Sequence, residues 1–154
     1  MGLDMYITAE KYMSRYSDNG SDVEKINKLN EMFGITNSSE DYRVETVVFG
    51  VAYWRKANAI HGWFVHNVQD DKDECQKSWV SRERLQQLVS TCKEVLSDHT
   101  KAETLLPPMG GFFFGSTDID DGYFTDLKDT VDQIERILND KALEKMDFYY
   151  HSSW

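Results

Sequence analysis

Tyr53-Trp54-Arg55-Lys56-Ala57-Asn58-Ala59-Ile60-His61-Gly62-Trp63-Phe64-Val65-His66 packs two tryptophans, two adjacent cations, an asparagine and two histidines into fourteen positions. It follows Val44 to Ala52, whose β-branched residues Val44, Thr46, Val47, Val48 and Val51 read as a strand, with Gly50 a bulge or its end. From about Tyr53 to Val68 the pattern turns helical. Tyr53, Ala57, Ile60, Phe64 and Asn67 or Val68 recur at spacings of three and four and predict a core face. Trp54, Asn58, His61 and Val65 form a second face, and Arg55, Ala59, Gly62 and His66 a third. A glycine inside a helix costs about 1 kcal/mol relative to alanine. Gly62 therefore predicts a close approach by another segment, or a kink.

Working outward, Leu3 to Tyr12 alternates apolar and polar residues and reads as a half-buried strand. Asp18-Asn19-Gly20-Ser21 is a turn cluster, and Ser21 with Glu24 makes a capping box. A helix from about Asp22 to Phe33 follows, with Val23, Ile26, Leu29 or Asn30, and Phe33 as its stripe, and Gly34 to end it. Ile35 to Asp41 is a polar connection, and Gln69 to Lys77 a charged loop. Ser81 caps a helix to about Asp98 with Leu85, Leu88, Val89, Cys92 and Val95 or Leu96 inward. Pro107 and Pro108 stop helical structure after Leu106. Gly110 to Thr117 is a short buried strand or an ordered loop. A last helix runs from about Asp121 to Asn139 with Phe124, Leu127, Val131, Ile134 and Leu138 inward. The tail from Asp147 to Trp154 reads as a strand able to pair with the first. The expected fold is α+β: a single compact domain over residues 1–154, with three to four helices on a small sheet that includes both terminal strands.

Composition narrows the function classes. The net charge of -10 argues against general nucleic-acid binding and against anionic lipid. An acidic surface also suits docking onto a basic protein. Cys75 and Cys92 form no CxxC pair and read as reduced thiols. Neither a signal peptide nor a membrane span is legible, so the expected location is the cytoplasm.

The candidate ligand site is Trp54, Arg55, Lys56, Asn58, His61 and Trp63, closed by Ser116 and Thr117. Arg55 and Lys56 would neutralise a phosphate. Trp54 or Trp63 would stack a base. Asn58 and His61 would read polar edges. The competing reading puts both tryptophans in the core and both cations in solvent. Gly115-Ser116-Thr117 before a helix N-terminus could meet an anion, but it lacks the P-loop pattern. Asp118, Asp120 and Asp121, or Asp70, Asp71, Asp73 and Glu74, could in principle hold a divalent cation, although neither set has EF-hand spacing. Solvated acidic loops are the favoured reading, with no metal site and no cofactor. No GxSxG, HExxH or paired HxT/S pattern is present, and no catalytic residue is assigned.

The opening Met1-Gly2-Leu3-Asp4-Met5-Tyr6, the run Tyr53 to His61 with Trp63-Phe64-Val65, and Gly111-Phe112-Phe113-Phe114-Gly115-Ser116-Thr117 together resemble small proteins of tailed bacteriophages and prophages. Leu105-Leu106-Pro107 and the closing Ser-Ser-Trp fit the same family. The resemblance covers most of the chain apart from roughly residues 13 to 43. It implies expression inside an infected bacterium and carries no assigned activity. By analogy with phage accessory proteins, it implies an anti-defence role. The leading expectation is a non-enzymatic, homo-oligomeric sponge for a small anionic, nucleotide-like ligand. The alternatives are an acidic inhibitor of a host defence protein and, third, a nucleotide hydrolase with His61 as base.

Overall fold

The computed structural model describes residues 2–16, 21–35 and 44–154. The elements in chain order are β1 (Asp4–Tyr12), α1 (Ser21–Met32), β2 (Thr46–Arg55), α2 (Asn58–Val68), β3 (Ser78–Val80), α3 (Arg82–Ser97), α4 (Ala102–Leu105), α5 (Asp121–Asn139) and β4 (Asp147–Ser153). Single 3-10 turns precede α4 and β4. The strands make one antiparallel sheet in the order β2-β1-β4-β3. The two terminal strands are neighbours in it, and the fold is α+β as the alternation at both ends of the sequence predicts. Among the described residues no helix is long and apolar enough to cross a membrane.

Close packing groups the chain up to Ala9 with Gly50–Trp154, and Glu10–Phe49 separately. In the larger group the alternation of β1 sends Leu3, Met5 and Ile7 into the core. Ala52 and Trp54 join them from β2, Val80 from β3, and Phe148 and Tyr150 from β4. Helix α3 packs along α5, and both pack on this layer. Ser81 caps α3 through Oγ, which accepts from the Arg84 amide at 3.1 Å. The predicted stripe Leu85, Leu88, Val89, Cys92 and Val95 is buried. Each such side chain contributes about 1.5–3 kcal/mol when fully buried. The stripe of α5 is turned slightly from its predicted position: Tyr123 and Ile137 are buried, while Phe124 and Leu138 are only partly so.

The helix expected from Tyr53 starts instead at Asn58. Tyr53, Trp54 and Arg55 complete β2, where Ala52 and Trp54 are buried while Tyr53 and Arg55 are exposed. Period two wins over the helical spacing because Leu3 C=O is there to accept the Lys56 amide at 2.8 Å, next to β1. Gly62 meets the predicted close approach: a Cβ there would lie 3.1 Å from Met109 Cβ. The 110–117 segment is a loop rather than a strand. Of its three phenylalanines only Phe114 is buried, and Phe112 is almost fully exposed.

The Glu10–Phe49 group holds the end of β1, the start of β2 and α1. Met13 N–H donates to Glu45 C=O at 2.9 Å. The stripe of α1 is Asp22, Ile26 and Asn30, while Val23 and Phe33 are exposed. Gly34 ends the helix with φ +66°, and Ile35 N–H reaches back to Asn30 C=O at 2.8 Å. The expected turn at Asp18–Gly20, the Ser21 side chain of the capping box, and most of the connection to Asp41 lie outside the described residues. Glu24 is bound by Lys28 at 2.6 Å.

Candidate functional site

Lys56 is the elbow between sheet and helix. Its φ is +59°, a left-handed conformation that costs an L-residue about 1–2 kcal/mol. The turn is fixed from both sides: Lys56 N–H donates to Leu3, and Lys56 C=O accepts the Asn58 amide at 2.8 Å. Helix α2 then begins at Asn58, and its N-cap residue Ala57 supplies no side-chain cap. His61 N–H closes the first helical bond onto Ala57. The two amides between, Ala59 and Ile60, have no acceptor among the described residues. An uncapped first turn presents free donors and the positive end of the helix dipole.

Residues Lys56 to Ile60 line a cavity of about 220 Å³. Its other walls are Gly115, Ser116 and Asp118, and the first turns of α5 with Asp120, Gly122, Tyr123, Asp126 and Leu127. Asn58 holds the loop in place: its Nδ2 donates to Phe114 C=O at 3.1 Å and Ser116 C=O at 2.7 Å. Gly115 has φ +91°, and a Cβ there would lie 3.4 Å from Lys56 Cβ, so the lysine stem lies against the loop backbone.

The three carboxylates differ. Asp118 Oδ2 accepts from the Ser116 hydroxyl at 2.8 Å, and Ser116 Oγ accepts from the Asp118 amide at 3.0 Å. Asp120 caps α5 by accepting from the Tyr123 amide at 3.0 Å. The Asp126 carbonyl accepts from Thr130 Oγ1 at 2.7 Å, but its carboxylate has no hydrogen-bond partner among the described residues. Burial, then the charges of Asp129 and Asp120, raise its pKa from 3.8 to about 6. A strained elbow and a perturbed acid in one concave site are the physical marks of a functional site.

Of the eight residues proposed from sequence, Lys56, Asn58 and Ser116 meet here. Thr117 is exposed and outside the lining. Trp54 is buried, its indole donating to Thr130 Oγ1 at 2.9 Å, so it offers no stacking face. Trp63 is also buried, edge-on to Phe64. Arg55 pairs with Asp4 at 3.2 Å beside Tyr53, whose hydroxyl bonds the same carboxylate. His61 is fully buried. Its Nε2 lies 3.0 Å from Asp73 and its Nδ1 2.7 Å from Tyr150 Oη. With Asp73 accepting from Nε2–H, the Tyr150 hydroxyl donates to Nδ1. Trp154 Nε1 donates to the other Asp73 oxygen at 3.0 Å. Burial first, then Asp73 and Cys75, hold the Tyr150 pKa well above the usual phenol value. This closed Trp–Asp–His–Tyr network ties the charged loop and the C-terminus to α2. It gives His61 no route to a substrate.

Sequence reasoning missed Asp126 and the free amides. Asp126 was hidden as one acid among many on α5. The amides carry no side-chain signal, although Ala at the start of a helix marks a missing cap. No group of three His, Cys, Asp or Glu among the described residues is arranged to hold a metal ion. The chain matches no family model, no curated protein and no solved structure.

Proposed function

We propose that this is a phage-type accessory protein that binds a small anionic, nucleotide-like ligand in the Lys56–Asp126 cavity and so sequesters a host immune signal. One observation carries the reading: Ala59 and Ile60, whose amides are unbonded, and Lys56 line the same small cavity as Asp126, whose carboxylate has no hydrogen-bond partner among the described residues. A phosphate is recognised by helix N-terminal amides and by lysine. A carboxylate accepts from sugar hydroxyls, as acidic residues do in dinucleotide folds. The pairing selects an anion joined to hydrogen-bond donors, the chemistry of a ribose phosphate. At about 220 Å³ the cavity is smaller than the roughly 300–1,000 Å³ of drug-sized sites. It takes the phosphoribosyl portion and leaves a base outside. The Ser116 hydroxyl is engaged with Asp118 inside its own loop, and in this reading the ligand is held rather than turned over.

The test is calorimetry with ribose 5-phosphate, ADP-ribose, cyclic nucleotides and inorganic phosphate. Sugar phosphates should bind more tightly than phosphate alone. Absence of heat with every one of them at high micromolar concentration removes the proposal. The exposed acids of α5, Asp121, Asp129 and Asp132, favour a second reading, docking onto a basic host protein. That binding would weaken steeply with salt and survive loss of Lys56.

A further inference from the structure

Independently of the ligand reading, we infer that the protein self-associates through the edge of β2, a second copy pairing its own β2 antiparallel alongside Thr46–Phe49. β2 is one edge of the sheet. An edge strand presents N–H and C=O groups to any strand that arrives, and monomeric proteins protect such edges with charge, proline or brevity. The opposite edge, β3, is three residues long. β2 is ten residues long, and Thr46 to Trp54 contains no charged residue and no proline.

At Tyr53 the chain covers the edge itself. Gln133 Oε1 accepts from Tyr53 N–H at 2.9 Å, and Gln133 Nε2 donates to Tyr53 C=O at 3.1 Å. The amide stands in for a neighbouring strand. No side chain does this for Thr46–Phe49 among the described residues. There Val48 is 53% and Phe49 47% exposed. Tyr12, Met32 and Phe33, in the same packing group, are exposed as well.

Charge selects the occupant. Two copies at -10 each repel over most of their surfaces, and an uncharged edge is where a like-charged partner is not opposed. A basic partner would find no carboxylate on this strip. A two-fold axis beside β2 sets each strand's donors against the other's acceptors without further complementarity. Trp54 and Trp63 are core, so the aromatic run around them offers no competing apolar surface.

The experiment is sedimentation of the full chain up to about 200 µM, with and without Val48→Lys/Phe49→Lys. Both side chains are exposed, so the fold should survive, as circular dichroism will verify. The wild type should reach twice its 17.9 kDa, and the variant should lose at least about tenfold in association. Hydrogen exchange of the wild type gives a second readout that needs no variant: amides in 46–49 should slow as concentration rises. A wild type that stays at 17.9 kDa, a dimer that survives the lysines, or protection arising elsewhere would each overturn the inference.

Discussion

Asp126 gives the sharpest prediction, because its energetic sign is unusual. Its pKa rises from 3.8 to about 6, so the folded protein holds this proton more tightly than the unfolded chain does. Between those values the native state binds more protons, and stability falls as pH rises through the window. About two units at 1.36 kcal/mol each would give roughly 3 kcal/mol for a group shielded from solvent. Asp126 is only partly buried, and solvent screening reduces the cost to about 1 kcal/mol. Asp126→Asn keeps the shape and removes the charge. It should stabilise the protein by about 1 kcal/mol near pH 8, with the advantage shrinking as pH falls and vanishing only below about pH 3, under both pKa values. Urea unfolding of both proteins across this range measures it, and the other carboxylates cancel in the difference. A variant less stable than wild type at pH 8, or a difference independent of pH, would refute the electrostatic account. The same variant replaces a charged hydroxyl acceptor with the weaker amide oxygen and should weaken sugar-phosphate binding by up to about tenfold.

Three further substitutions separate binding from folding. Lys56→Gly relieves a left-handed lysine at about 1–2 kcal/mol and returns about 0.5–1 kcal/mol through glycine's freedom in the unfolded chain. Thermal unfolding should therefore stay level or rise while calorimetry shows phosphate affinity falling at least tenfold. Trp54→Phe breaks the indole bond to Thr130 and opens a gap in the core, costing about 2 kcal/mol in urea unfolding while leaving ligand affinity unchanged. His61→Leu leaves Tyr150 Oη and Asp73 without their shared partner, and unfolding should show a loss of about 3 kcal/mol.

Much of the fold was legible because α3 and α5 carry long stripes and end signals that agree with each other. Ser81, the Leu85–Val95 face and the Asp121–Asn139 span all came through. The terminal strands were legible from alternation at both ends, and Gly34 from its place after a stripe. The site was less so, and the elbow shows why. Trp54, Asn58 and His61 satisfy helical spacing by coincidence, since Trp54 lies on β2 and the other two on α2. The left-handed turn at Lys56 separates them, and a lysine gives no local hint of that conformation as a glycine would. Burial then redistributed the chemistry. The residues of the Tyr53–His66 run richest in functional groups, His61, Trp54 and Trp63, went into the core. The cavity fell to backbone amides and to Asp126, whose environment exists only once α2 and α5 are packed together. β3 was missed because three residues show no period.

The most direct test follows the α2 amides by nitrogen–proton correlation spectra while ADP-ribose or ribose 5-phosphate is added. Ala59 and Ile60 should shift first and furthest, with Gly115 moving alongside them and Trp63 still. Spectra unchanged at millimolar ligand, or shifts centred away from the Lys56 elbow, would contradict the account.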